Sequence, residues 1–281
     1  MKKYSILLLA IFLIADLYPQ TNHASLGPKN GTLVIVGGGG SEDIFNIFIN
    51  AAGGKDAPIV CIPSADGRNE DEMFSINAKY MMDLGATNVT VLHTNDRKKA
   101  NSKEFVKPLE NAKGVWFGGG RQWRLVDAYK NTLTENMIGN VLARGGVIGG
   151  SSAGATIQGS YLSRGDTKNN QIMMGDHEEG FGFIKNVAID QHTLARNRHF
   201  DMFNILKHRP ELLGISIDEN TALVVKGNEF KVVGESYVLI YDGTFWSKEG
   251  SELKVLPRKN ELFYFLRKGD RYDLLNRKVI N

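Results

Sequence analysis

Five small residues in a row, Gly150-Ser151-Ser152-Ala153-Gly154, are the part of the sequence with the clearest chemical use. They match the G-x-S-x-G pattern in which a serine sits on a sharp strand-to-helix turn, flanked by residues small enough to tolerate the bend. On such a turn the Ser152 hydroxyl stands exposed at a helix N-terminus, where a developing oxyanion is favoured. A serine hydroxyl is a weak nucleophile without a base. Among the six histidines, His23 lies in or beside the N-terminal leader, His93 ends a strand, His177 lies in a polar loop with Asp176, Glu178 and Glu179, and His208 adjoins Arg209-Pro210. His192 follows the apolar run Val187-Ala188-Ile189 within Asp190-Gln191-His192, which puts it at a strand end like Ser152. A base needs an orienting acid. The strand Ile215-Ser216-Ile217 runs into Asp218 and Glu219, and the residue types leave both open.

The elements that must position these groups follow from short apolar runs alternating with helical spacing. Strands are predicted at 33–36, 59–62, 89–92, 114–117 and around Val147-Ile148, with helices at 44–52, 71–84 and 125–142 and a helix starting near Ala153. Glycines close several strands: Gly37 to Gly40, Gly118 to Gly120 and Gly149-Gly150. This order implies an α/β fold with a mostly parallel sheet and helices on both faces, and in such sheets chemistry gathers beyond the carboxyl ends of the strands. Runs at 222–225, 230–233, 237–241 and 262–266 read as antiparallel additions at one edge of that sheet.

Composition narrows the function classes. The chain has 281 residues, 42% hydrophobic and 23% charged, with a formal net charge of +3 and no block of like charges. These are globular proportions, and they give no support to nucleic-acid binding. Lys2 and Lys3, the apolar run from Ile6 to Ala15 and the polar stretch to Ala24 read as a secretory signal over residues 1–24, leaving one domain over 25–281 exported to the periplasm or beyond the cell, with no stable membrane anchor after signal removal. The single cysteine, Cys61, sits in an apolar strand and reads as buried and structural. Glu42 and Asp43 stand where a dinucleotide loop would need its last glycine, so the glycine run at 37–40 reads as a tight turn passing close to the site. No metal or organic cofactor is expected, since no Cys or His cluster has zinc spacing and the 176–179 run alone makes no metal site. A homodimer is compatible with the sequence.

Four segments together resemble the cyanophycinase family of serine peptidases, whose relatives include aspartyl dipeptidases: Phe117-Gly118-Gly119-Gly120-Arg121-Gln122, Gly149 to Ala155, Asp190-Gln191-His192 with Arg196-Asn197-Arg198, and Gly214 to Ala222. The resemblance implies a class I glutamine amidotransferase-like fold with Ser152 as nucleophile, His192 as general base and Glu219 as orienting acid. The order Ser, His, Glu differs from the α/β-hydrolase order, in which the acid precedes the histidine. The resemblance also implies an oxyanion hole from backbone amides near Gly120 and Ala153, and a substrate pocket lined by Gln122, Asp190, Gln191, Arg196 and Arg198. Paired guanidiniums suit the carboxylate of a β-aspartyl-arginine substrate. The sequence departs from the family at Arg121, where an acidic residue is expected, and at Asp201, where a further arginine is expected. Two other functions compete with a β-aspartyl peptidase: an exopeptidase for short acidic α-peptides, and a catalytically silent binding protein on the same scaffold.

Overall fold

The computed structural model describes residues 24–247 and 261–280. The leader read over residues 1–24 therefore lies, but for Ala24, outside the described residues. The first half runs β1 (Thr32–Val36), α1 (Glu42–Ala52), β2 (Ile59–Ile62), a single 3₁₀ turn (Ser64–Asp66), α2 (Ile76–Asp83), β3 (Val89–Val91), α3 (Arg97–Ala100), α4 (Lys103–Asn111), β4 (Gly114–Phe117), α5 (Gln122–Tyr129), α6 (Leu133–Ala143) and β5 (Val147–Ser151). The second runs α7 (Ala153–Thr156), β6 (Gly159–Tyr161), β7 (Ile184–Gln191), α8 (Met202–Leu206), β8 (Leu213–Ile217), β9 (Thr221–Lys226), β10 (Glu229–Gly234), β11 (Tyr237–Tyr241), β12 (Tyr264–Arg267), β13 (Arg271–Asp273) and β14 (Lys278–Ile280).

The strands form two sheets where the sequence predicts one. A nine-stranded sheet has the order β14-β13-β10-β9-β1-β5-β4-β2-β3, and a five-stranded sheet has the order β12-β11-β8-β7-β6. In the larger sheet β1, β5, β4, β2 and β3 are parallel, and β9 adds antiparallel to β1. In the smaller, β6, β7 and β8 are parallel, and β11 and β12 add antiparallel. The expected antiparallel additions thus divide: β9 and β10 extend the larger sheet, whereas β11 and β12 extend the smaller. Alternation along each strand carries no record of this split, because both sheets bury the same kind of apolar face.

One core, with Ile35, Phe117, Ile148, Ile189 and Ile215 among its members, runs between the sheets and under α5 and α6. A second packs α1 on the other face of the larger sheet through Phe45, Phe48 and Trp116. A third packs α8 on the outer face of the smaller sheet through Met202, Ile205, Leu239 and Tyr241. Cys61 lies in the second core, fully buried, and burial pushes its thiol up to about 12, as suits a structural residue.

Local chemistry explains where the helices differ from the expected spans. Ser75 caps α2, its Oγ accepting from the Ala78 N–H at 3.3 Å, so the helix starts at Ile76 rather than 71. The span 125–142 is two helices, broken where Asn131 takes a left-handed φ of 58°. Helices α3 and α4 were not expected at all, and Pro108 inside α4 conceals a segment that Ser102 caps through the Phe105 N–H at 3.2 Å.

Gly149 has a packing reason: a Cβ there would lie 2.6 Å from Trp116 Cε3 and 2.7 Å from Phe48 Cδ2. Both are rigid rings in the second core. Gly149→Ala is expected to destabilise the fold by about 1–3 kcal/mol through overpacking, read as a lower midpoint in urea. An unchanged midpoint would show that the rings yield freely.

Candidate active site

The site forms where the two sheets meet, at the carboxyl end of β1. Three successive carbonyls there each accept one distant N–H: Val36 from Ser152 at 3.0 Å, Gly37 from His192 at 3.0 Å, and Gly38 from Asn220, next to Glu219, at 2.9 Å. Ser152 follows β5 of the larger sheet, while His192 and Glu219 follow β7 and β8 of the smaller. The β1 end therefore ties three strand ends from two sheets into one place.

The turn at Ser152 is as cramped as the motif requires. Ser152 has φ 58° and ψ −112°, a conformation that costs energy for a residue with a side chain. A Cβ at Gly150 would meet the Gly154 carbonyl oxygen at 2.5 Å, and one at Gly154 would meet the Phe117 carbonyl oxygen at 2.3 Å. Hence both flanking glycines. The Ser152 hydroxyl lies 2.8 Å from His192 Nε2, and His192 Nδ1 lies 2.6 Å from Glu219 Oε1. Burial lowers the His192 pKa, Glu219 opposes that shift, and the nearby Arg196 and Arg198 charges lower it further. The imidazole is thus held neutral, and with Nδ1–H donating to the carboxylate, Nε2 is left to accept a proton from Ser152.

Of the two acids that the sequence leaves open, Glu219 faces the histidine. Asp218 takes another part: its Oδ1 accepts from the Leu194 and Ala195 N–H groups at 2.9 Å each, and its Oδ2 from the Ser236 hydroxyl at 2.6 Å. It thereby secures the turn that follows His192. The glycine run at 37–40 explains itself at Gly38, where a Cβ would lie 2.4 Å from His192 Nδ1 and 3.0 Å from Glu219 Cγ.

The expected pocket residues divide. Arg198 is buried and donates to Gln191 Oε1 at 2.9 Å, and Arg196 is exposed on the same turn. Gln122 is buried and donates through Nε2 to the Ser163 carbonyl at 2.6 Å. Asp190 departs from a lining role: it is fully buried, with Arg164 Nε and Nη2 on its two oxygens at 2.8 and 2.9 Å. Arg164 Nη2 also reaches Asp201 at 2.5 Å, and Nη1 reaches the Asn170 carbonyl at 3.0 Å. Burial opposes the Arg164 charge, but Asp190 and Asp201 overcome it and raise its pKa. The unusual Asp201 is therefore neutralised from inside by a residue that nothing in the local sequence singles out. Arg121, the other departure, turns to the Asp166 carbonyl.

Gly119 is a further residue that sequence reasoning missed. A Cβ there would lie 3.5 Å from Ser152 Cβ and 3.9 Å from its Oγ, so its backbone borders the hydroxyl. Gly120, with φ 138°, instead turns over the Ala65 carbonyl. The other histidines lie elsewhere. His93 Nδ1 touches Ser64 Oγ at 2.7 Å, but both residues are buried and the second partner of Ser64 is Tyr129. His177 bridges Asp127 and Asp176 at 2.9 and 3.1 Å. Among the described residues no group of three His, Cys, Asp or Glu side chains could hold a metal ion.

Residues 33–233 match the model of Peptidase family S51. The chain belongs to this family. It is 34% identical over 271 residues to a cyanophycinase from Geminocystis herdmanii, covering 89% of this chain and 95% of that one. It is 31% identical over 272 residues to a cyanophycinase from a Nostoc species, covering 90% and 88%. Its fold is similar to the crystal structure of a peptidase from an acI-B1 actinobacterium, with a TM-score of 0.62 and 26% identity over 87% of this chain and 97% of that one. This S51 chain is a serine-type hydrolase with the class I glutamine amidotransferase-like fold.

Gly38→Ala is expected to lower kcat for peptide hydrolysis on the order of 100-fold, because the added methyl displaces the imidazole from its line between Ser152 and Glu219. A kcat within threefold of the parent would show that the glycine is not what admits the histidine.

Proposed function

We propose that the chain hydrolyses β-aspartyl-arginine peptides of the cyanophycin type through an acyl-enzyme on Ser152. The observation that carries this reading is the unbroken contact from Ser152 through His192 to Glu219, at 2.8 and 2.6 Å. His192 Nε2 takes the Ser152 proton as Oγ attacks the scissile carbonyl. The tetrahedral oxyanion is held by backbone amides of the Gly119-Gly120 turn and Ala153. As the C–N bond breaks, the imidazolium returns that proton to the leaving amine. Water then adds to the acyl carbonyl, giving its proton to His192, and Ser152 recovers a proton as the acid product leaves. Glu219 holds the tautomer and stabilises the imidazolium throughout.

Substrate class follows from charge. Arg164 occupies Asp190 and Asp201, so neither acid captures the guanidinium of Arg198, which with exposed Arg196 is left to meet an anion. The natural partner is the carboxylate of the arginine-bearing leaving residue, gripped by paired guanidiniums. Similarity to proteins named cyanophycinase supports the same substrate. The basic, apolar and polar order of residues 1–24 supports export.

The test is to incubate the protein and its Ser152→Ala variant with cyanophycin and follow β-Asp-Arg dipeptide by mass spectrometry. Release by the parent and a loss on the order of 10⁴-fold or more in the variant are expected. Equal release by both excludes the mechanism.

Acidity gives a second check. Because His192 must be neutral to accept the proton and its pKa is held below the ordinary 6.5, kcat/KM should be level near neutrality and fall only at lower pH. Arg196→Gln removes one depressing charge, so the acid limb should move to higher pH. A shift the other way would contradict the electrostatic account, whatever the variant does to substrate affinity.

A further inference from the structure

On one flank of Ser152 stand the guanidiniums of Arg196 and Arg198; on the other a cavity of about 300 Å³ has one charged lining side chain, Asp66, which Arg68 closes at 2.9 and 3.0 Å. A second cavity, of about 230 Å³, has the opposite balance and shares no lining residue with the first. It lies against β6, the edge strand of the smaller sheet, where Tyr161 pairs with Ala188, four residues along the strand and so roughly 13 Å from His192. Its charged lining is Glu178, Glu179, Glu211 and Arg209. Arg209 Nη2 closes Glu178 at 2.7 Å, but among the described residues no hydrogen bond or ion pair reaches the carboxylates of Glu179 and Glu211. Ser160 in the same wall is satisfied, its hydroxyl donating to the Val187 carbonyl at 3.3 Å and accepting the Val187 N–H at 3.1 Å. Tyr161 is not. It is 5% exposed, and its buried hydroxyl meets no hydrogen-bond partner among the described residues. Burial and the Glu178 charge raise its pKa against the opposing Arg209 charge, so the hydroxyl keeps its proton beside the acidic wall.

We infer that this second cavity is a binding site for a guanidinium-bearing ligand, separate from the catalytic centre. The site stands whether or not Ser152 is the nucleophile. Two open carboxylates call for a cation, and a buried hydroxyl without a partner calls for a polar group beside it. A metal ion needs its oxygens to converge on one point, and among the described residues no three His, Cys, Asp or Glu side chains do so. A guanidinium spreads its charge and five donors over a plane, so it spans acceptors that stand apart. The wall already displays this chemistry: Arg209 sits on Glu178 Oε2 with its guanidinium 5.9 Å from the centre of the Tyr161 ring. The backbone holds the acids in place, since Glu179 forms a bridge with Tyr161 and the Glu178 carbonyl accepts from the Leu162 N–H at 2.8 Å. Arg277 donates to the Glu211 carbonyl at 2.6 Å, not to its carboxylate, and stays outside the lining.

The probe is N-acetyl-arginine methylamide, which carries a guanidinium and no other charge, titrated calorimetrically into the parent protein beside its citrulline and lysine counterparts. The arginine probe is expected to bind at least about tenfold tighter than the citrulline probe, the scale of one charge-assisted hydrogen bond, and tighter than the lysine probe. Glu179→Gln combined with Glu211→Gln should weaken it at least about tenfold, and Tyr161→Phe by a smaller factor. Arg209→Gln, which frees Glu178, should tighten it, a gain that misfolding cannot produce. No binding to the parent overturns the inference, as does equal binding of the citrulline probe or an affinity that the double variant keeps. A lysine probe that binds as tightly, or calcium that displaces the arginine probe, overturns the guanidinium assignment. The ligand's source is read on the Ser152→Ala protein. Displacement of the probe by cyanophycin supports the site and assigns it to the arginine branches of the substrate proposed above; displacement by free arginine and not by the polymer supports it as a small-molecule site.

Discussion

Everything at the site depends on the carboxyl end of β1. The carbonyls of Val36, Gly37 and Gly38 point in turn at the amides of Ser152, His192 and Asn220. Each such bond contributes only about 1 kcal/mol to stability, yet together they set the register at the site between two sheets whose shared core is apolar and which are also joined by the Tyr272 hydroxyl on Asp242. Apolar contact is non-directional; it brings the sheets together without fixing which residue faces which. The hydrogen bonds supply that direction. They need a strand that ends in residues without side chains, because the imidazole occupies the volume that a Cβ at Gly38 would fill.

Charge is arranged by the same logic of occupied and free partners. Acid and base lie close together on both flanks of Ser152, but the pairs are closed differently. Behind the cationic flank Arg164 holds Asp190 in the interior and reaches the partly exposed Asp201. Removing one member of the buried Arg164–Asp190 pair leaves an uncompensated charge at a cost of about 3–5 kcal/mol, so the arrangement resists rearrangement. On the other flank Arg68 closes Asp66 at the surface, where an ion pair is weak. One flank therefore presents positive charge and the other presents none.

Much of this was legible in the sequence because the relevant features are local. The elbow around Ser152 needs glycines at 150 and 154, and the strand ends at 36, 117 and 151 announce themselves by glycine clusters or small residues. What was not legible depends on contacts between distant segments. The strands carrying His192 and Glu219 belong to a second sheet, yet they alternate with the same apolar residues as the first. The choice between Asp218 and Glu219 turns on which side of one strand end faces the imidazole, and residue types alone could not make it. Asp190 looked like a pocket residue because it stands two positions before His192, whereas its neutralising partner Arg164 lies 26 residues away in the chain. Gly119 gave no signal of its own, being the middle of three glycines.

The central claim is that geometry, not mere proximity of serine to histidine, makes Ser152 the nucleophile. The protein contains a built-in comparison, since Ser64 contacts His93 at 2.7 Å in a buried setting where the other partner of Ser64 is the Tyr129 hydroxyl. Treatment with a small fluorophosphonate, followed by proteolysis and peptide mass mapping, reads both serines at once. A single adduct on the peptide carrying Ser152, with Ser64 unmodified, is the predicted outcome. An adduct on Ser64, or on any other serine while Ser152 stays unmodified, would contradict the account.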